Sequence, residues 1–521
     1  MSRSNETPCP LQRFAAGWRH VRFDCYAGAC AAIERREAEA RPLSRIQTLV
    51  LPLKNLEFGI KMANIRHLIR DLAPGTLGDV LFTILNYSQY RVRHSGEYVK
   101  WRNYFRSHLR SSAEALEEQQ LQRLRSFLRH CVEASTYYRK TLEGFCVDEA
   151  TPELLRNLAV LEKAELRENI NDIATIPPRK GIVSTTGGTT GNSMAVIYRP
   201  EDMQERFALI DVFRERAGYR LGGRIAWATG KEIVSRTDLR NGRYFRKDMK
   251  NRILFVSTFH LNDGTFDAYW KALVKMRPEY LLGFPSFFHE LGTLALRRGL
   301  SLSGVVACFP TAETVMESHR EVISQVFGCK VIDQYASSEG APFILQCERG
   351  RYHLQPHTGV FEVVDEAGHP SRSGELLVTS FSTRGTPLVR YRIGDSVSLS
   401  GDHETCLCGF GGRLVERIEG RGSDFILTPS GAKITSVNLS NATKGVRGIE
   451  LYQVQQCSKG EIVVRVVANA EFDGAQERGL IAALKERVGV EMLIGVQRVD
   501  SIERERSGKF RVVKPAMDAS V

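Results

Sequence analysis

The sequence predicts an α/β protein: a large layered domain with a β-rich part, followed by a small α+β C-terminal unit. Three observations carry that prediction. Short apolar runs alternate with helix-period windows between Tyr198 and Gln334. From Gly359 to Ser400 the signal changes to alternating strands with tight turns, and after Gly420 a new set of strands with one helix begins. At 521 residues the chain is long enough for more than one domain and a sizeable core. Hydrophobic content of 42% and charged content of 25% fit a globular protein, with no apolar run of membrane-spanning length and no secretory pattern at the N-terminus. A cytoplasmic protein is expected.

Residues 1–75 read as a helical, basic extension broken by Pro42 and Pro52. Its segment from Leu51 to Leu72 intersperses Lys54, Lys61, Arg66 and Arg70 among apolar residues. Packing against the main body is the simpler reading, and peripheral contact with a membrane surface is the other. Between Trp101 and Phe145, Leu121, Leu124, Leu128 and Val132 recur at helical steps, and Thr151 is placed to cap a further short helix. Strands are expected at 224–228, 252–256, 280–283, 304–308 and 330–334, with helices at 264–276, 285–298 and 313–327 between them. Strands at 360–364, 375–379 and 396–400 follow, then 450–454 and 462–467 with a helix over 475–488.

The formal net charge of +12 comes from scattered Lys and Arg interleaved with acids, as in Glu503-Arg-Glu-Arg506. That pattern reads as a solvated surface and against nucleic-acid binding. Eleven cysteines in a chain of this length do not form a disulfide framework. Cys347, His353, Cys406 and Cys408 nevertheless make a Cys₃His set of the tetrahedral zinc type, on two turn-rich stretches that flank a strand region. A structural Zn²⁺ without a catalytic role is the expectation; ordinary thiols and a polar strand residue are the alternative.

The most informative stretch is Ser184-Thr-Thr-Gly-Gly-Thr-Thr-Gly-Asn192, between two strand-like runs. Glycine backbone and hydroxyl donors can wrap phosphate oxygens, although by itself the stretch reads equally as a surface turn. No Gly-Lys-Ser/Thr follows, so it is not a Walker loop. Downstream, Tyr335-Ala-Ser-Ser-Glu339-Gly340 ends an apolar run, and Arg390-Tyr-Arg-Ile-Gly-Asp395 puts an Asp after a Gly in a turn. Ile418-Glu-Gly-Arg421-Gly-Ser-Asp424 stands where the large and small units join, and Ser507-Gly-Lys509 projects a Lys from a late loop.

In that order, over residues 80–515, these segments resemble the signatures of the adenylate-forming enzymes: acyl-CoA synthetases, peptide-synthetase adenylation domains and luciferases. Arg277-Pro-Glu-Tyr-Leu-Leu-Gly-Phe-Pro-Ser286, Thr311-Ala-Glu313 and Leu128-Arg-His-Cys-Val-Glu-Ala-Ser-Thr-Tyr-Tyr-Arg139 resemble the phenylacetate-CoA ligase branch and its CapK-like capsule-biosynthesis relatives. The resemblance implies a large ATP- and acyl-binding domain over 76–420 and a small mobile domain over 421–521. It implies ATP, Mg²⁺, CoA and a small, preferably aromatic carboxylic acid as reactants, with transfer to an amine or carrier thiol as the alternative to CoA. A non-catalytic scaffold is the reading from a different class, and a homo-oligomer is compatible with either.

By resemblance, Thr186, Gly187, Gly188, Thr189, Thr190 and Gly191 hold the β- and γ-phosphates, and Glu339 holds Mg²⁺. Tyr335, Ser338, Thr311 and Glu313 border the nucleotide, Asp395 accepts the ribose hydroxyls, Arg421 belongs to the hinge, and Lys509 bridges carboxylate and α-phosphate. Residues 227–230 and 255–260 are expected near the acid. The sequence departs from the family where Asn192 and Ser193 follow the last glycine of the loop in place of Lys and Pro, and where Ser423 precedes Asp424 in place of an acid.

Overall fold

The computed structural model describes residues 75–514, apart from 186–193, 403, 422–424, 430–432, 436–438, 440, 444–445 and 506–507. Residues 1–74 of the expected basic extension, the expected phosphate-binding residues Thr186 to Gly191 with Asn192 and Ser193, and Ser423 and Asp424 of the expected hinge lie outside the described residues.

The helical region expected from Trp101 to Phe145 is divided into helices Tyr98–Ser107, Ala113–Ala134 and Thr136–Thr141. Serines start the last two. Ser112 Oγ accepts from the Ala115 amide at 3.3 Å and Ser135 Oγ from the Tyr138 amide at 3.3 Å, satisfying donors that have no partner inside the helix. Leu124, Phe127, Leu128 and Cys131 make the buried stripe of Ala113–Ala134 and pack into the β-rich core. Thr151 caps the 3₁₀ turn Leu154–Asn157, accepting from the Leu154 amide at 3.2 Å.

Among the described residues, a six-stranded sheet runs in the order Phe245–Asp248, Ile253–Ser257, Ile225–Thr229, Tyr280–Gly283, Ala307–Pro310, Lys330–Val331. All pairs are parallel except the one at the Phe245–Asp248 edge. Alternate side chains go to opposite faces. Ala226, Leu254 and Leu281 pack beneath helices Phe266–Met276, Pro285–Arg297 and Glu317–Phe327, whereas Ile225, Ile253 and Leu282 meet helix Pro200–Glu215. Burial on both faces is why these strands read as continuous apolar runs.

Two expected strands differ. The run at 304–308 becomes a strand only at Ala307–Pro310, because Gly304 turns with φ +90°. The run at 330–334 is split: Lys330–Val331 closes the parallel sheet and Gln334–Tyr335 opens another. Asp333 stabilises the crossing point, its carboxylate accepting from Tyr352 Oη at 2.7 Å and from the Gln334 amide at 2.8 Å.

That second sheet has seven antiparallel strands, in the order Gly359–Val364, Ser373–Ser380, Leu388–Leu399, Leu414–Arg421, Tyr352–Leu354, Ile344–Gln346, Gln334–Tyr335. Asp395, expected in a turn, lies inside strand Leu388–Leu399. The register shifts opposite Glu375 to Leu377, and Gly394 takes φ +82°, a bulge that re-aims the following side chain. Beyond residue 425, strands Leu493–Arg498, Glu461–Ala468, Ile449–Ser458 and Val513–Lys514 form a four-stranded sheet. With helix Gly474–Val488 they enclose their own core of Val454, Val464, Leu480 and Leu484. No helix among the described residues is long and apolar enough to cross a membrane.

Candidate active site

Strands Ile182–Thr185 and Ala195–Tyr198 pair antiparallel, so the glycine-rich stretch joins the two arms of a hairpin. The hairpin is tied at two points: the Ile197 amide donates to Thr386 Oγ1 at 2.9 Å, and Tyr198 Oη donates to the Ser338 carbonyl at 2.9 Å. The second tie places Tyr198 against Gly340, where a Cβ would stand 2.3 Å from Thr383 Cγ2 and 2.7 Å from Tyr198 Oη. With φ +105° as well, this position accepts only glycine, and the close approach it permits seats the adjacent Glu339 in the wall of a cleft.

The cleft has a volume of about 630 Å³ and is lined by Thr311, Glu313, Tyr335, Ser338, Glu339, Asp395 and Lys509. Seven residues singled out in the sequence, drawn from positions up to 198 apart, therefore share one space. Glu339 is 3% exposed, with Lys163 Nζ 3.7 Å from Oε1. Tyr335 Oη donates to Asp395 Oδ2 at 2.6 Å, fixing that carboxylate from the edge strand of the same sheet. The backbone of Asp395 pairs with that of Arg421, which brings strand Leu414–Arg421 alongside. Thr311 follows strand Ala307–Pro310, and its amide donates to the Gly283 carbonyl at 3.0 Å. It sits at the carboxyl end of the parallel sheet, where ligands bind in folds of this kind.

Lys509 approaches that same edge from the C-terminal unit. A tight turn closes with the Gly508 amide on Glu505 O at 2.8 Å and the Glu505 amide on Lys509 O at 3.0 Å. A Cβ on Gly508 would lie 2.5 Å from Gly230 Cα, 2.9 Å from Thr258 Oγ1 and 3.1 Å from Phe259 Cζ. The lysine turn thus rests on the two stretches expected near the acid. There Trp227 and Phe255 stack with ring centroids 5.5 Å apart, and burial holds the His260 imidazole below its usual range.

Glu313 sits differently from Glu339. Its Oε1 accepts from Ser286 Oγ at 3.0 Å and from the Phe510 amide at 2.6 Å, and its Oε2 from the Ser286 amide at 3.2 Å. Arg504 stands beside it, bonded to Ser286 Oγ at 2.7 Å and to Glu290 Oε2 at 2.9 Å. Burial pushes both carboxyls upward in pKa, and the Arg504 guanidinium pulls them back. Lys163, Ser286, Glu290 and Arg504 were not legible as site residues. Arg504 in particular belongs to the run read as solvated surface, yet its side chain is 7% exposed. An alternating charge run looks the same whether it faces water or a partner domain.

Away from the cleft, Cys347, His353, Cys406 and Cys408 place their ligand atoms within 4.8 Å of one another. Cys347 Sγ and Cys406 Sγ are 3.7 Å apart, and Cys408 Sγ is 3.5 Å from His353 Nε2. Tetrahedral zinc with Zn–S of about 2.3 Å and Zn–N of about 2.0 Å requires separations of roughly 3.7 and 3.5 Å. His353 Nδ1 donates to the Gly412 carbonyl at 2.9 Å, which leaves Nε2 as the ligand nitrogen. The donor set fits the ion.

Residues 426–516 match the family model described as the CapK C-terminal domain. The chain is 32% identical to protein CapK of Staphylococcus aureus over 401 residues, covering 76% of this chain and 88% of that one. It is 26% identical to a phenylacetate-coenzyme A ligase of Thermus thermophilus over 337 residues, 61% of this chain and 72% of the relative. A crystal structure of 2-hydroxyisobutyryl-CoA ligase in the postadenylation state, in complex with R3-HIB-AMP, superposes with a TM-score of 0.61 at 19% identity. The match covers 78% of this chain and 91% of that chain, and shows a shared fold.

Proposed function

The chain belongs to the CapK family, in the phenylacetate-CoA ligase branch of the adenylate-forming enzymes, and on that premise we propose that it works as an AMP-forming acid–thiol ligase. A carboxylate oxygen of the acid attacks the α-phosphorus of ATP and pyrophosphate leaves; the CoA thiolate then attacks the acyl carbon and AMP leaves. The observation that carries the reading is the convergence of Lys509, Glu339 and the Tyr335–Asp395 pair on one cleft at the carboxyl edge of the parallel sheet.

The first step brings two anions together, so it needs cationic stabilisation more than a protein nucleophile. Lys509 supplies a point charge between the carboxylate and the α-phosphate. Asp395, oriented by Tyr335, accepts the ribose hydroxyls, and the glycine-rich hairpin loop receives the outer phosphates. Glu339, a buried carboxylate on the cleft wall with Lys163 Nζ 3.7 Å away, is suited to hold Mg²⁺, which when bound offsets triphosphate charge. An aromatic acid is the substrate class we favour, in line with the phenylacetate-coenzyme A ligase relatives. The Cys347, His353, Cys406 and Cys408 set holds a structural Zn²⁺ outside the cleft lining.

Acid-dependent pyrophosphate exchange with a panel of aromatic and aliphatic acids tests the reading, with Lys509→Ala as control. Exchange followed by thioester on adding CoA is expected. Exchange without thioester transfers the reading to an amine or carrier-thiol acceptor, and no exchange with any acid removes it in favour of a scaffold.

A further inference from the structure

Resting on that reading, we propose that Glu313 and Arg504 are positioning residues: together they latch the lysine turn onto the large domain for the first half-reaction only. Both side chains are 7% exposed, although one lies in each part of the molecule. The three hydrogen bonds to the Glu313 carboxylate engage both of its oxygens, and one of them comes from the Phe510 amide, the residue next to Lys509. Arg504 completes the joint, reaching Ser286 and Glu290 on helix Pro285–Arg297 while its Nη1 also lies 3.5 Å from the Gly508 carbonyl. Ser286 Oγ links the two, accepting from Arg504 and donating to Glu313.

This arrangement gives Glu313 a task other than contact with the nucleotide. Its acceptors face protein donors, one of them 197 residues away in sequence, so they register where the lysine turn sits. Gly508 completes the fit on the opposite side of the turn, against Gly230 and Thr258. A buried charge that loses its partner is strongly unfavourable, so removing either member releases the turn instead of leaving it loosely in place. The second half-reaction, in which CoA displaces AMP, does not use Lys509 and is spared.

The test uses the full-length protein with Arg504→Ala, Glu313→Gln and the conservative Arg504→Lys, and two readouts. In hydrogen exchange followed by mass spectrometry, the peptide spanning 503–512 is expected to exchange faster in Arg504→Ala and Glu313→Gln, with strand Glu461–Ala468 unchanged. In turnover, phenylacetate-dependent pyrophosphate exchange falls by about 100-fold, the order associated with an ångström's displacement of a catalytic group. In Arg504→Ala, thioester formation from supplied phenylacetyl-adenylate and CoA stays within about threefold of the parent, and Arg504→Lys recovers part of the lost exchange. Unchanged hydrogen exchange across 503–512 in both variants, or equal losses in the two half-reactions, overturns the latch. A parent protein inactive with every acid overturns the proposed function instead, and peptide exchange alone then decides the latch.

Discussion

Glu339 and Glu313 line the same cleft, and both are shielded from solvent, yet they belong to differently built regions. The Glu339 wall is held by its backbone: the neighbouring Ser338 carbonyl and Gly340 lock against Tyr198, and among the described residues the carboxylate has one partly exposed lysine at 3.7 Å. The Glu313 region is held by the carboxylate itself, which takes three donors and lies beside a guanidinium. A buried carboxylate saturated by protein donors does structural work, whereas one with lone pairs facing a cleft is available to a ligand.

The most severe way to probe the difference is to remove the cation that both walls serve. Lys509→Ala should lower pyrophosphate exchange by roughly 10²–10³-fold, the scale for losing one preorganised stabilising group. Thioester formation from a supplied adenylate should remain near the parent rate, and equal loss in both assays would contradict the assignment. Glu339→Gln separates the two acids directly. Exchange should drop by roughly 10–100-fold and recover in part as Mg²⁺ is raised, in line with weakened metal affinity. The Glu313→Gln loss should ignore Mg²⁺, so identical Mg²⁺ titrations would erase the distinction.

A milder contrast comes from the Cys/His cluster, where every ligand is itself part of the binding set. Cys408→Ser should abolish the zinc found by elemental analysis of purified protein and lower unfolding stability by at least about 2 kcal/mol. Residual pyrophosphate exchange at low temperature should persist, because the cluster lies outside the cleft; full zinc content would end the assignment. The smallest effect expected is that of Tyr335→Phe. Removing one hydrogen bond to the Asp395 carboxylate should raise the ATP KM about tenfold, equivalent to about 1.4 kcal/mol, with kcat nearly unchanged. A kcat effect without a KM effect would place Tyr335 in another role.

Legibility in the sequence followed the range of the signal. Helix Pro285–Arg297, strand Ile253–Ser257 and helix Gly474–Val488 fell where local period and apolar content placed them. Strand Lys330–Val331 did not, since an apolar run does not mark where the chain leaves one sheet for the next. The members of the Cys/His cluster were readable by residue type, but their separations of 3.7 and 3.5 Å depend on strand Tyr352–Leu354 pairing with Leu414–Arg421. Arg504 carried no signal: among Glu503, Glu505 and Arg506 it has the composition of a surface.

The sequence by itself therefore determined the order of elements and the chemical types that reach the cleft, because periodicity, glycine placement and side-chain identity are local properties. The tertiary structure alone decided which carboxylate is saturated and which faces the cleft, and that Arg504 is buried. Those outcomes depend on hydrogen bonds such as Phe510 to Glu313, whose partners are brought together only when the C-terminal unit docks on the sheet's carboxyl edge.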